Sequence, residues 1–139
     1  MTGYVLDTSV AAAWYLSETF SAEARRYRDE LARDEIRCVV PALHFWELGN
    51  VVRTYVRRRE LEAELGREIF ALHLDSGLEV ADPERSRAFE IALEYDATVY
   101  DAVYIALALD LDLPLLTAEK TTTPWVVRLG DRAVRVGRG

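Results

Sequence analysis

The sequence predicts a layered α/β domain with a mostly parallel sheet. Five short aliphatic or β-branched runs have the length of strands and lie at residues 4–6, 37–40, 78–81, 114–116 and 133–136. Long stretches of helical periodicity separate the first four runs, and this alternation favours parallel strands joined by helical crossovers. No repeat or linker interrupts the chain, so residues 1–139 are expected to form one domain with one α/β architecture.

Helical periodicity predicts helices over residues 9–16, 22–33, 42–58, 60–74, 84–94, 99–111 and 123–129. Thr8 and Ser9 can cap the first helix, Pro41 suits the first turn of the third, and an Asp-Pro-Glu run at residues 82–84 opens the fifth. An alanine-rich stripe at three- and four-residue spacing indicates that the sixth helix is buried against the sheet.

Composition excludes several classes of protein. The longest apolar runs fall well short of the roughly 18 to 20 residues that a membrane-spanning helix needs, so we expect no membrane segment. The N-terminal residues show no secretory signal pattern. Cys38 is the only cysteine, which excludes intramolecular disulfides and cysteine-based metal centres; we expect it to fill the core of a cytoplasmic protein.

The charge balance disfavours nucleic-acid binding through a broad basic surface. The chain has 17 basic and 24 acidic residues, a net charge of −7, and Lys120 is its only lysine. A protein that binds phosphates by bulk charge is usually basic. A site that concentrates carboxylates can nevertheless recruit divalent cations, and these can meet a phosphate.

Two acids follow strand-like runs, where the carboxyl ends of parallel strands collect ligand sites. Asp7 follows the first run, although it could instead cap the next helix. Glu119 follows the fourth run, although it could be a solvated loop acid paired with Lys120. The hydroxyl of Thr117, two residues before Glu119, could hold a neighbouring carboxylate or a metal-bound water.

Two further acids lie on predicted helices. Glu47 is surrounded by large apolar residues, and Asn50, three residues later on the same helical face, could orient its carboxylate; the alternative is an exposed glutamate. We expect His44 at the surface or behind the site rather than as a metal ligand. Asp101 opens the most apolar helix, where the helix dipole alone would favour an acid, but burial would demand a cation or strong donors.

These acids can converge at one edge of the sheet. Two like charges about 4 Å apart repel by roughly 4 kcal/mol at an effective dielectric near 20. Such a group therefore favours an oxygen-binding cation, Mg²⁺ or Mn²⁺, that can activate water and stabilise a phosphate. The candidate catalytic and metal-binding residues are Asp7, Glu47, Asp101 and Glu119.

Four segments together resemble the PIN-domain family, and most closely the VapC-type toxins of toxin–antitoxin pairs. They are VLDTS at residues 5–9, WELGN at 46–50, YDAVYIA at 100–106 and LTAE at 116–119. Each motif alone is weak, but their order and spacing agree and the resemblance spans essentially the whole chain.

The resemblance implies a three-layer α/β/α PIN-like domain with Mg²⁺- or Mn²⁺-dependent endoribonuclease activity. Metal-activated water would attack an RNA phosphodiester in line and leave a 5′-phosphate and a 3′-hydroxyl. Asp7, Glu47 and Asp101 would be the main metal-binding acids, whereas Glu119 stands where the family usually has aspartate. The supporting polar groups are expected to be Asn50, Thr117, Thr8 and Ser9.

The resemblance also implies an RNA substrate, a cognate VapB-type antitoxin and a homodimer. Arg53 and Arg57, one turn apart on the helix of Glu47, could follow an RNA backbone, although they could equally form a solvated face balanced by nearby glutamates. The C-terminal segment is also basic, with Arg128, Arg132, Arg135 and Arg138.

Three other functions were compared with this one. A haloacid-dehalogenase-like phosphatase needs a second acid two residues after Asp7, where this chain has Ser9. A phosphoacceptor receiver domain needs paired acids near the first strand and a late lysine, but Leu6 precedes Asp7 and Lys120 alone is not enough. A catalytically degenerate PIN-like module that binds RNA or protein remains the alternative, because of Glu119.

Overall fold

The computed structural model describes residues 1–137 and confirms the α/β class; Arg138, part of the predicted basic C-terminal segment, lies outside this range. The elements are β1 (Thr2–Leu6), α1 (Thr8–Tyr15), α2 (Ser21–Ala32), β2 (Ile36–Val40), α3 (Leu43–Arg57), α4 (Ala63–Leu74), β3 (Glu79–Val80), α5 (Arg85–Tyr95), α6 (Val99–Leu111), β4 (Leu115–Thr117), α7 (Pro124–Leu129) and β5 (Ala133–Arg135). A 3₁₀ turn, Gly130–Arg132, precedes β5.

The five strands form one sheet in the order β3-β2-β1-β4-β5, and every neighbouring pair is parallel. The mostly parallel sheet that the sequence predicts is therefore parallel throughout. β1 lies in the centre, with Val5 opposite Val39 of β2 and Leu6 opposite Leu116 of β4. The carboxyl ends of β1 and β4 consequently lie side by side.

Helices cover both faces of the sheet and give the predicted three layers. Val5 and Leu6 point to opposite faces, as successive strand residues do. Val5 packs in a core with α5, α6 and α7, whereas Leu6 packs with α1 and α2. Cys38 is fully buried in the second core, as expected for a core-filling residue.

α3 and α4 form a hairpin that packs against α1 through a third apolar cluster with Leu48 and Ile69. The two helices approach closely at Gly66, where an added Cβ would lie 3.1 Å from Val56 Cγ2. Glycine therefore fits here because the neighbouring helix leaves no room for a side chain.

Two sequence expectations about helix ends are wrong. α4 begins at Ala63 rather than at residue 60, because α3 ends in a Schellman motif: Arg59 has a φ of 61° and the Glu60 N–H donates to Tyr55 O at 3.0 Å. Thr8 and Ser9 do not cap α1; they lie in its first turn, and Asp7 is the N-cap residue. Across residues 1–137 no helix has the length and apolarity to span a bilayer.

The buried side chains of β1, the strand that leads into Asp7, should contribute strongly to the free energy of unfolding. Leu6→Ala removes a fully buried side chain from the central strand and should lower the free energy of unfolding by about 2–5 kcal/mol. Leu93→Ala deletes the same atoms from a side chain that is 66% exposed, and should change it by less than about 0.5 kcal/mol. Urea denaturation measures both values. Equal effects of the two substitutions would contradict the burial of Leu6 in the core.

Candidate active site

The carboxylate of Asp7 lies at the carboxyl edge of the sheet, between β1 and β4. The Asp7 N–H continues the strand pairing by donating to Leu116 O at 2.9 Å. Its Oδ2 accepts hydrogen bonds from Thr117 Oγ1 at 2.8 Å and Ser9 Oγ at 3.1 Å. Asp7 occupies the N-cap position of α1, but its carboxylate makes no capping hydrogen bond to the helix. Thr117 holds a neighbouring carboxylate, as its position predicts.

The surroundings of Asp7 oppose its charge. Burial raises the pKa of Asp7 to about 6 and is the largest cause. The hydrogen bonds from Thr117 and Ser9 lower this pKa, whereas the negative charges of Asp101 and Glu47 raise it further. The protein thus keeps a carboxylate where it is poorly solvated and close to other acids, a pattern typical of functional sites.

Glu47 is held from the core side of α3 by two hydroxyl groups. Its Oε1 accepts hydrogen bonds from Tyr104 Oη at 2.6 Å and Thr8 Oγ1 at 3.1 Å. Asn50 does not take the predicted role of orienting Glu47: its side chain is exposed and lines a groove between α3 and α4, and no hydrogen bond to Glu47 is found among the described residues. Of the predicted supporting residues, Thr8 bonds to Glu47, and Tyr104 takes the place expected for Asn50.

Asp101 lies in the first turn of α6, which is capped by Thr98: the Asp101 N–H donates to Thr98 Oγ1 at 3.0 Å. The carboxylate is half-buried. Burial is the largest cause of its raised pKa, and the charges of Glu119 and Glu47 act in the same direction. Asp101 therefore shares the electrostatic environment of the acids on the sheet edge, although it comes from a helix.

Glu119 follows β4 by two residues and is half-buried. Its N–H donates to Thr117 Oγ1 at 3.1 Å, and its Oε2 accepts a hydrogen bond from Thr123 Oγ1 at 3.2 Å. Among the residues that the structure describes it forms no ion pair with Lys120, so the paired loop acid is not observed. Thr117 thus contacts the carboxylate of Asp7 and the backbone of Glu119.

The four acids form an electrostatic unit without a basic partner. Asp7 is influenced by Asp101 and Glu47, and Asp101 by Glu119 and Glu47. Every ion pair found within residues 1–137 lies elsewhere on the surface. An all-oxygen donor set of this charge fits Mg²⁺ or Mn²⁺. As the side chains stand in this range, however, no three His, Cys, Asp or Glu groups are close enough to hold an ion.

A series of hydrogen-bonded buried groups continues behind Glu47, and the sequence did not predict it. His44 contacts Thr8 and Tyr104 through Nδ1, and its Nε2 lies 2.8 Å from Nε2 of His73. Both histidines are buried, so the expectation of a surface His44 is wrong and the alternative of a position behind the site is right. The signal for His73 was its place four residues after Ile69 on the apolar face of α4.

The predicted RNA-binding arginines are exposed on α3. Arg53 lies on the wall of the groove between α3 and α4, together with Asn50, and Arg57 follows one turn later. Neither arginine forms an ion pair with a described residue, so the balancing by neighbouring glutamates is not observed. Their role in RNA binding stays a prediction.

The α3–α4 groove has a volume of about 680 Å³ and is mainly apolar. Trp46 lines this groove and is 76% exposed, whereas Trp14 is buried in the core. The other large apolar residues of the groove include Phe45, Val52, Val56, Phe70 and Leu74.

Comparisons with known proteins identify relatives over most of the chain. The PIN domain model matches residues 4–121. Ribonuclease VapC3 of Pyrobaculum aerophilum is 35% identical over 124 residues, which cover 84% of this chain and 88% of the relative. Two crystal structures share the fold. PAE2754 of the same organism has a TM-score of 0.75 and 21% identity, and the match covers 97% of this chain and 84% of that one. VapC20 of Mycobacterium tuberculosis has a TM-score of 0.64 and 15% identity, and the match covers 88% of this chain and 92% of that one.

The raised pKa of Asp7 predicts a pH-dependent gain in stability for Asp7→Asn. The amide oxygen can still accept both hydroxyl bonds, so the variant removes mainly the charge. Because the folded pKa of about 6 lies above the unfolded value of 3.8, the contribution of Asp7 to wild-type stability is largest below pH 3.8 and is lost as the pH rises through 6. In chelator, the variant should match the wild type near pH 3.5 and exceed it above pH 6.5 by about 2 kcal/mol after solvent screening.

Urea denaturation across this pH range measures the difference. Asp131→Asn, which removes an exposed acid of the 3₁₀ turn, is the control for the loss of one surface charge. A constant difference between Asp7→Asn and the wild type at all pH values would contradict the electrostatic account of Asp7.

Proposed function

This chain belongs to the PIN-domain family, and we propose that it is a metal-dependent endoribonuclease, the toxin of a toxin–antitoxin pair. One observation carries the proposal: Asp7, Glu47, Asp101 and Glu119 come from four separate parts of the sequence and influence one another electrostatically without a basic partner. Acids arranged in this way are costly for folding alone and are explained by a cation.

The names of two relatives support the reaction class. The relative with 35% identity is named a ribonuclease, and VapC20 is described as a toxin that cleaves the sarcin-ricin loop. An RNA phosphodiester is accordingly the substrate that we propose for this chain, without a choice among RNA targets.

Asp7, Glu47 and Asp101 would hold Mg²⁺ or Mn²⁺, and Glu119 would assist directly or through water. The bound ion would supply positive charge for the phosphate oxygens and make water a stronger nucleophile. The chain itself keeps the acids in position: Thr117 and Ser9 bind Asp7, while Tyr104 and Thr8 bind Glu47. Hydroxyl groups engage one carboxylate oxygen in each of three acids, which are Asp7, Glu47 and Glu119.

The alternative is a PIN-like module that binds RNA or protein without cleaving RNA. Glu119, with one methylene more than the usual aspartate, favours this alternative, because its Oε2 already bonds to Thr123. Wild-type protein that binds RNA but does not cleave it with either metal would support the alternative.

Neutralising the acids should abolish cleavage. We expect Asp7→Asn and Asp101→Asn each to reduce magnesium- or manganese-dependent cleavage of structured RNA by at least about 100-fold, the scale of a lost interaction with a transition-state charge. Excess chelator should abolish wild-type cleavage. Initial rates on a labelled RNA, with circular dichroism to verify folding, provide the measurement.

Asp110→Asn is the matched control, because Asp110 lies on the same helix and pairs with Arg87 at the surface. It should retain the wild-type rate. Cleavage that survives both active-site substitutions, or that persists in excess chelator, would show that the nuclease proposal is wrong.

We further propose that a VapB-type antitoxin binds the α3–α4 groove. An exposed tryptophan in a groove lined by apolar side chains is typical of a protein-binding surface. The groove includes Trp46, which directly precedes Glu47, so a bound chain would lie next to the proposed catalytic acids. Assembly into a homodimer stays a prediction from the family resemblance.

Truncating Trp46 tests the antitoxin proposal. Co-expression with a small protein encoded beside this gene should yield a complex, and a gene without such a neighbour would count against the proposal. In that complex, Trp46→Ala should weaken binding by about 30-fold or more, as expected for a buried aromatic anchor. Val127→Ala, an exposed apolar truncation on α7, should leave affinity unchanged. Calorimetric titration measures both; equal affinities of the wild type and Trp46→Ala would place the antitoxin elsewhere.

A further inference from the structure

The two histidines of this chain connect the proposed active site to Tyr15 at the end of α1. His73 lies near the end of α4 and His44 in the first turn of α3, and both rings are almost completely buried. Tyr15 Oη lies 2.8 Å from His73 Nδ1, and the two Nε2 atoms are 2.8 Å apart. A continuous series of hydrogen bonds therefore runs from Tyr15 to Glu47.

The direction of this series is fixed at Glu47. A carboxylate accepts hydrogen bonds and donates none, so the 2.6 Å contact uses the only proton of the Tyr104 hydroxyl. Thr8 Oγ1 lies 2.7 Å from Tyr104 Oη and 3.1 Å from Glu47 Oε1, and its single proton must serve these contacts. Neither hydroxyl group has a proton left for His44.

The contacts of His44 Nδ1 then require that this nitrogen, rather than Nε2, is protonated. This nitrogen lies 3.3 Å from Thr8 Oγ1 and 3.2 Å from Tyr104 Oη, and it must donate to these oxygens. A neutral imidazole carries one proton, so Nε2 of His44 is bare and accepts from the Nε2–H of His73. Nδ1 of His73 is bare in turn and accepts from the Tyr15 hydroxyl.

Both rings are expected to be neutral. Burial lowers the pKa of His44 to about 3, with a contribution from His73, and burial lowers the pKa of His73 to about 4. Among described residues the ring nitrogens contact only neutral partners, which are Thr8, Tyr104, Tyr15 and each other.

We infer that Tyr15, His73 and His44 form a one-way chain of donors that positions Glu47. His44 carries its proton on Nδ1 and His73 on Nε2. Because His44 donates, it cannot draw the proton of Thr8 or Tyr104 away: the Tyr104 proton stays directed at Glu47 Oε1, and Thr8 shares its proton between Tyr104 Oη and Glu47 Oε1. The importance of this for RNA cleavage rests on the proposed function, whereas the proton arrangement does not.

The proton positions can be read directly by ¹⁵N NMR of the full chain, whose only histidines are these two. Spectra of metal-free wild type at pH 7 should show a protonated Nδ1 on His44 and a protonated Nε2 on His73. The reverse arrangement, or rapid averaging between the two, would overturn the inference. This measurement requires no variant and no active enzyme.

Removing the Glu47 carboxylate should allow the hydrogen bonds of the series to reverse their direction. In Glu47→Ala the Tyr104 and Thr8 hydroxyl groups lose their carboxylate, and His44 Nδ1 becomes the nearest acceptor for one of their protons. We expect His44 and His73 to change mainly to the opposite tautomers. Asp101→Ala removes a neighbouring carboxylate that does not contact the series, and should leave the tautomers unchanged. Unchanged tautomers in Glu47→Ala would overturn the inference.

The positioning role is tested by the conservative variant. His44→Leu should slow RNA cleavage by roughly five- to tenfold at unchanged KM, the effect of one lost hydrogen bond, whereas His44→Asn, whose amide N–H can replace Nδ1–H, should restore most of the rate. A folded His44→Leu that cleaves at the wild-type rate would contradict positioning. Wild type with the expected tautomers but no RNA cleavage would support the donor chain and reject the proposed function.

Discussion

The pairing of β1 with a parallel strand on each side is the constraint on which the site depends. Because β1 and β4 run in the same direction, their carboxyl ends lie together, and Asp7 comes within 2.8 Å of Thr117, 110 residues away in sequence. The helices that follow β2 and precede β4 then bring Glu47 and Asp101 to the same edge. A single central strand thus fixes the relation between distant parts of the chain.

The sequence predicted the five strands and the seven α-helices from apolar runs and helical periodicity, but it misplaced some ends. The α3–α4 boundary was obscure because Arg59, rather than a glycine, adopts the left-handed conformation at the helix end. Asp96 and Asp112 do the same after α5 and α6. Left-handed residues other than glycine leave a weak trace in sequence, since their conformation is imposed by hydrogen bonds of the folded helix.

The sequence predicts the acids and three of their supports, which are Thr8, Ser9 and Thr117, but it does not predict the buried groups behind Glu47. Thr117 lies at the end of a predicted strand, so its contact with Asp7 follows from strand order. Tyr104, 57 residues from Glu47, supports it directly and His73 supports it through His44, and these contacts depend on how α3, α4 and α6 pack. Periodicity shows that such residues face inward, but it does not show which polar groups meet there.

The hydroxyl groups around the acids also bear on which cation the site would select. One oxygen of Asp7, Glu47 and Glu119 already accepts hydrogen bonds within the protein, which favours binding a cation through one oxygen rather than through both. Calcium prefers six to eight oxygen ligands and commonly takes both oxygens of a carboxylate, whereas a smaller octahedral ion keeps several of its own waters. The hydrogen bonds that steady the acids would therefore discriminate against calcium.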